Sequence, residues 1–270
     1  MNESSPIPGA GQDRSGAMTE AFLGVGVALV TIFGDDGEID PGATSKLAAE
    51  LVARGMRAVL VCGSTGEAAT LTGSERVTLI EAVRGAVPPG IPVIAGTGAP
   101  SARQAAALTA DAVRAGADVM LAFPPPGSRD LAGYYAAVAG AAGDRPVLAY
   151  HFPRISAPGV PVEALAGLPV AGVKDSSGDP DRLLEELAHY RGATYVGSSA
   201  VLSLAGPMGA AGAILALANI EPERCVAAFA GEAAAQLALA DRHLAARRGG
   251  PAVLKKVLAA ERGTPAGMRQ

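Results

Sequence analysis

The chain has no tryptophan, and aromatic residues make up only 4% of it. That leaves few stacking surfaces for a single-stranded nucleic-acid platform. A formal charge of −4 with a pI near 5.5 adds no attraction for a polyanion, so no nucleic-acid partner is expected. Cysteine is nearly absent: Cys62 and Cys225 are too few for a disulfide scaffold or a structural zinc site, and a reducing, cytoplasmic setting is the expectation. The longest apolar runs are strand-sized and broken by glycine or charge, which argues against a membrane span. The histidines, His151, His189 and His243, lie apart without metal-ligand spacing, so neither a metal nor a cofactor is expected. Lysine is scarce too, confined to Lys46, Lys174, Lys255 and Lys256.

Apolar residues, by contrast, reach 49% of 270 residues, ample for one large α/β domain, and no linker divides them. Residues 1–20 are polar and rich in Gly, Pro and Ser, and read as a disordered leader without the basic start and apolar stretch of a secretory signal. From Leu23 onward short apolar runs alternate with Ala-rich helical patterns. The runs fall at 23–33, 58–63, 92–96, 118–123, 146–152, 170–174, 194–198 and 212–217. Most are uninterrupted rather than alternating, as in parallel strands covered on both faces. Between them, Ser74–Ala86 follows a Thr72-x-x-Glu75 capping signature, Ser101–Ala115 ends at Gly116, and Asp179–His189 carries Pro180 in its first turn.

Eight strands alternating with helices predict a (β/α)8 TIM barrel over residues 21–220. Residues 221–270 then hold the last barrel helix and a short C-terminal helical extension, with helices at 222–233, 236–248 and 252–262. A doubly wound nucleotide-binding sheet is the competing architecture, because GTGAPS (96–101) follows a strand and opens a helix. It lacks the full Gly-x-Gly-x-x-Gly and a well-placed ribose acid.

A barrel collects reactive groups at the carboxyl ends of its strands. The sixth run ends in Lys174, an amine delivered by an apolar segment toward a poorly hydrated cavity. Burial favours the neutral amine, the nucleophile that Schiff-base chemistry on a ketone requires. The competing role for Lys174 is an ion pair with Asp175 or Asp179. The second run ends in GSTGE (63–67), whose glycines let backbone amides approach a ligand while Ser64 and Thr65 supply hydroxyls suited to a carboxylate; an ordinary strand-to-helix loop fits the same residues. Tyr150 ends the neighbouring fifth run, where a phenol either moves protons or simply closes the barrel mouth. Alternation turns His151 away from the axis, and Cys62 reads as core packing.

In this order, GSTGEAATLTGSER (63–76), PVIAGTGA (92–99), the Tyr150-x-x-Pro153 turn, GVKDSSGD (172–179) and GAILALANI (212–220) resemble the dihydrodipicolinate synthase / N-acetylneuraminate lyase family of pyruvate-dependent Schiff-base lyases and aldolases. The resemblance runs from about Gly24 to about Pro222. It implies that Lys174 condenses with a 2-oxo acid, that Tyr150 shuttles protons, and that Ser64 and Thr65 bind the keto-acid carboxylate, with Thr65 also in the proton relay. Ile214 resembles the residue whose backbone lies against the bound keto acid. A (β/α)8 barrel assembled as a homo-oligomer, dimer or tetramer, is implied as well.

Three departures set the chain apart from the family pattern, two bearing on the substrate and the third on assembly. Phe123-Pro124-Pro125-Pro126 puts Pro126 where family members carry a relay tyrosine, and Tyr134 and Tyr135 match a different position. Ile155 stands where the synthases usually carry an arginine for the aldehyde's carboxylate, with Arg154 one position early as a substrate-binding candidate. About fifty residues follow Asn219, which abbreviates the helical appendix. The expectation is a lyase or aldolase that makes or cleaves a C–C bond beside a 2-oxo acid, acting on a sugar acid or hydroxy-oxo acid. The alternatives are 4-hydroxy-tetrahydrodipicolinate synthesis from aspartate semialdehyde, dehydration of a deoxy-oxo-sugar acid through the same iminium, a 2-oxo-acid binder with little turnover, and a nucleotide-dependent oxidoreductase.

Overall fold

The computed structural model describes residues 20–269, so the expected leader lies outside the described residues except for Glu20. Eight parallel strands close in chain order into a barrel: β1 Gly24–Ala28, β2 Val59–Val61, β3 Val93–Gly96, β4 Val119–Ala122, β5 Val147–His151, β6 Gly172–Asp175, β7 Ala193–Val196 and β8 Gly212–Leu215. Pairing of β1 with β8, from Gly24↔Gly212 to Val27↔Leu215, completes the circuit. A closed sheet has no crevice between strands that diverge in order, which overturns the doubly wound alternative. The helices α1 Pro41–Ala53, α2 Gly73–Ala86, α3 Ala102–Arg114, α4 Leu131–Ala142, α5 Val162–Leu165, α6 Pro180–His189 and α7 Leu202–Ala205 connect successive strands. After β8 come α8 Pro222–Phe229, α9 Ala233–Ala238, α10 Ala240–Gly249 and α11 Pro251–Arg262. No helix among the described residues is long and apolar enough to cross a membrane.

Local chemistry sets the helix starts. Thr72 and Glu75 form the reciprocal capping box, with Glu75 N donating to Thr72 Oγ1 at 3.2 Å and Thr72 N donating to Glu75 Oε2 at 2.7 Å. Asp179 caps α6 by accepting from Asp181 N at 2.9 Å, and Pro180 occupies the first turn, where its missing amide costs nothing.

Two apolar layers stabilise the barrel. Outside, strand residues such as Val27, Val61, Ala95 and Met120 pack against Leu47, Leu79, Ala105 and Val138 of the surrounding helices. Inside, alternate strand positions supply Ala28, Leu60, Ile94, Leu121, Leu148, Tyr150, Tyr195 and Ile214. Burying each large side chain contributes about 1.5–3 kcal/mol. Phe22 stacks on Tyr195 with ring centroids 4.7 Å apart, and the Tyr195 hydroxyl donates to Phe22 O at 2.9 Å and accepts from Phe22 N at 3.2 Å. Phe22 precedes β1, so this pair floors the amino-terminal end and leaves the carboxyl end open. Tight strand approach requires glycine at one rim position: a Cβ on Gly96 would press into the Cys62 carbonyl.

Candidate active site at the carboxyl end of the barrel

Tyr150 on β5 and Lys174 on β6 are register partners. Lys174 is only 3% exposed, and its Nζ lies 4.4 Å from the centroid of the Tyr150 ring. The acids weighed as its partners are engaged elsewhere. Asp175 accepts from Ser177 N at 2.7 Å and Ser177 Oγ at 2.9 Å and lies 3.7 Å from the Arg182 guanidinium, while Asp179 caps α6. Among the described residues no carboxylate forms an ion pair with Lys174. Gly197 provides the room for this amine, because a Cβ there would meet Lys174 Cε at 3.0 Å and overlap Ser176 Oγ.

The Tyr150 ring is held between Phe123 and Phe152, at centroid distances of 6.1 and 5.8 Å. Its hydroxyl bonds with Ser64 Oγ at 3.3 Å and accepts from Ser176 Oγ at 3.4 Å. The hydroxyls therefore form a chain, Ser64–Tyr150–Ser176, alongside the amine. Ser64 and Thr65 sit in a single 3-10 turn, Ser64–Gly66, bracketed by two non-glycine residues in the left-handed region, Cys62 and Glu67, each at φ 55. Such backbone costs roughly 1–3 kcal/mol per residue and persists only where surrounding contacts impose it. The buried Cys62 thiol is pushed up to about 12 by desolvation, so it is inert at neutral pH.

A cavity of about 410 Å3 opens above these groups. Ser64, Thr65, Tyr150, Lys174 and Ile214 all line it, so five sequence-predicted site residues converge. Arg154 lines its outer part, with Nη1 donating to Arg247 O at 3.3 Å. Ile155 also lines the wall. His151 turns outward, as alternation requires, and its Nδ1 lies 3.0 Å from Val160 O; burial first, then Arg182, lowers its proton affinity. Tyr134 and Tyr135 are buried under the rim, donating to Phe123 O at 2.8 Å and Ala122 O at 2.9 Å, and desolvation raises both phenols. Pro126 is not among the lining residues.

Several lining residues escaped the sequence reading. Ser176, two positions beyond Lys174, was accessible through the two-residue strand period. Ser198 and Ser199 follow Gly197 at the end of β7. His243, Ala246 and Arg247 bring one face of α10 over the mouth, and Gly250 follows just beyond its end. Ser199 Oγ and His243 Nδ1 are 2.8 Å apart, and burial together with Arg247 holds the imidazole below its ordinary range. The lining contains three arginines and, among the described residues, no aspartate or glutamate.

This architecture defines a barrel of the lyase class, with a buried amine, a phenol and paired hydroxyls facing one cavity. The model of the dihydrodipicolinate synthetase family matches residues 21–248, and the chain belongs to that family of lyases. It is 36% identical over 230 residues to a 4-hydroxy-tetrahydrodipicolinate synthase of Pseudomonas aeruginosa, covering 80% of this chain and 78% of that protein. With the enzyme of that name from Synechococcus sp. (strain WH7803) it shares 41% identity over 130 residues, 47% of this chain and 43% of that protein. Among solved structures, it resembles the chloride-inhibited dihydrodipicolinate synthase of Acinetobacter baumannii complexed with pyruvate, at 29% identity and a TM-score of 0.84 over 92% of this chain and 91% of that one.

Proposed function

We propose that this protein is a Schiff-base lyase that makes or cleaves a C–C bond beside a pyruvate-type 2-oxo acid. The observation that carries this reading is Lys174 Nζ, buried against Tyr150 beside the Ser64–Thr65 turn, with no carboxylate among the described residues paired to it.

In this reading, Lys174 adds to the C2 ketone and the carbinolamine loses water to give an iminium. Loss of a proton from C3 yields an enamine, and its attack on an aldehyde carbon forms the new C–C bond; hydrolysis then returns the free amine. Cleavage runs the same steps backward. Ser64 and Thr65 hold the keto-acid carboxylate, and the backbone of Ile214 lies against the keto acid. Tyr150 carries protons, drawing on Ser64, Ser176 and Thr65. Fixing one reactant covalently orients the carbon before the second substrate arrives.

The upper cavity supports a sugar acid or hydroxy-oxo acid as the partner substrate. Serine hydroxyls just beyond β6 and β7, from Ser176, Ser177, Ser198 and Ser199, suit a polyhydroxylated chain, and Arg154, Arg247 and Arg248 suit a distal anionic group. The names of the relatives favour a second reading, 4-hydroxy-tetrahydrodipicolinate synthesis; Ile155 and Pro126 at the departing positions weigh against it. Dimeric or tetrameric assembly and a cytoplasmic setting belong to the same proposal.

The test is pyruvate release from a panel of 2-keto-3-deoxy sugar acids and hydroxy-oxo acids, alongside condensation of pyruvate with aspartate semialdehyde. Cleavage of a sugar acid with no condensation supports the first reading, and the opposite result selects the second. Imine formation without turnover on any substrate overturns both in favour of a keto-acid binder.

A further inference from the structure

We infer that Glu67 and Lys255 are positioning residues, and that the carboxyl-terminal segment fixes the turn that presents Ser64 and Thr65 to the keto acid. The inference rests on the carboxylate-binding role proposed for that turn.

Lys255 lies on the inward face of α11, beside Leu254 and Leu258, at 0% exposure. Its Nζ donates to Glu67 Oε1 at 2.6 Å and to Gly267 O at 2.7 Å, and rests 4.3 Å from the centroid of the Phe33 ring. Glu67 is also at 0% exposure, and its other oxygen accepts from Arg269 N at 2.9 Å. Arg269 ties the tail down in turn: Nε donates to Gly37 O at 2.5 Å, and Nη2 lies 2.7 Å from Glu75. From the barrel side, Thr31 Oγ1 donates to Gly66 O at 2.7 Å. The turn is thus gripped in front by β1's extension and behind by α11 and the tail.

A fully buried ion pair is a poor device for stability, because desolvating two charges consumes most of their attraction, and apolar replacements are often neutral or better. What the pair does supply is a unique geometry. Glu67 holds a left-handed conformation at φ 55, immediately after Gly66, and that backbone determines where the Ser64 and Thr65 hydroxyls and amides point. Two apolar side chains would fill the space without dictating that direction. Leu254, next to Lys255, lines the cavity wall, so one helix sets both the wall and the turn.

The experiment compares Lys255→Met, Glu67→Gln and the double Glu67→Met/Lys255→Met variant with wild type. The readouts are the pyruvate concentration for half-maximal borohydride trapping, the turnover at saturation, and the melting temperature. Lys255→Met, which strands a buried carboxylate, should lose stability, and the double variant should regain it. A positioning role predicts that half-saturation stays raised at least fivefold in the double variant despite the regained stability, with trapping still reaching completion. Should the Met variants fail to fold, Glu67→Gln, which keeps the volume, should show the same fivefold rise. Half-saturation within twofold of wild type in every folded variant overturns the inference. Absence of trapping in wild type instead overturns the Schiff-base reading on which it depends.

Discussion

Replacing Tyr150 by phenylalanine removes one oxygen from the chain Ser64–Tyr150–Ser176 and leaves the ring in place. That ring retains its contacts with Phe123 and Phe152 at centroid distances of 6.1 and 5.8 Å. The lost hydrogen bonds, at 3.3 and 3.4 Å, are long and join hydroxyls beside an open cavity, so the stability cost is about 0.5–1.5 kcal/mol. Proton transfer by a positioned side chain typically contributes 10²–10⁴-fold in rate, or about 3–5 kcal/mol of barrier. Turnover should therefore fall at least a hundredfold while the melting temperature moves by only a few degrees. Rapid-quench borohydride trapping separates the steps: the imine should still accumulate on pyruvate, more slowly, since the amine is untouched. A Tyr150→Phe enzyme within tenfold of wild-type turnover refutes the proton-carrying role. A variant that loses its fold refutes the view that the hydroxyl serves chemistry rather than packing.

Gly197→Ala should place a methyl against Lys174 Cε and Ser176 Oγ; displacing the amine by about 1 Å predicts a hundredfold slower imine formation, and unchanged trapping kinetics would contradict the role of Gly197 in making room for the amine. Arg247→Ala should raise the KM of an anionic partner substrate by at least about tenfold, as expected for a charged hydrogen bond worth about 1.5–3 kcal/mol, without altering pyruvate half-saturation; equal KM values would remove Arg247 from the site. On the outer face, burial and the nearby Asp175 push the Glu186 carboxyl from 4.5 up to about 8, opposed by Arg182. The folded chain then keeps a proton that the unfolded chain sheds, so stability falls as pH rises from about 4.5 to about 8 and levels off above that. Glu186→Gln should remove this slope in thermal melts across that window, and a variant as pH-sensitive as wild type would contradict the assignment.

The strands were legible because most are uninterrupted apolar runs, and the site was legible where polar groups terminate such runs. Thr72 and Glu75 announced their capping box three residues apart. Less was visible after Pro222. The expected helices at 222–233 and 236–248 divide instead into Pro222–Phe229, Ala233–Ala238 and Ala240–Gly249, because Gly231 at φ 102 stops the first and an Ala-rich run offers no periodicity to reveal where the next begins. The return of α10 over the mouth, which brings His243 and Arg247 to the cavity, depends on tertiary packing alone. So does the meeting of Glu67 with Lys255, 188 residues apart. The left-handed backbone at Cys62 and Glu67 left no trace either, since neither residue type favours it.

The most direct test of the central claim is mass mapping of the lysine modified when the enzyme is reduced with borohydride in the presence of pyruvate. A single pyruvate-derived adduct is expected on the peptide carrying Lys174, abolished in Lys174→Arg together with turnover. An adduct confined to Lys46, Lys255 or Lys256, or full activity in Lys174→Arg, would contradict it.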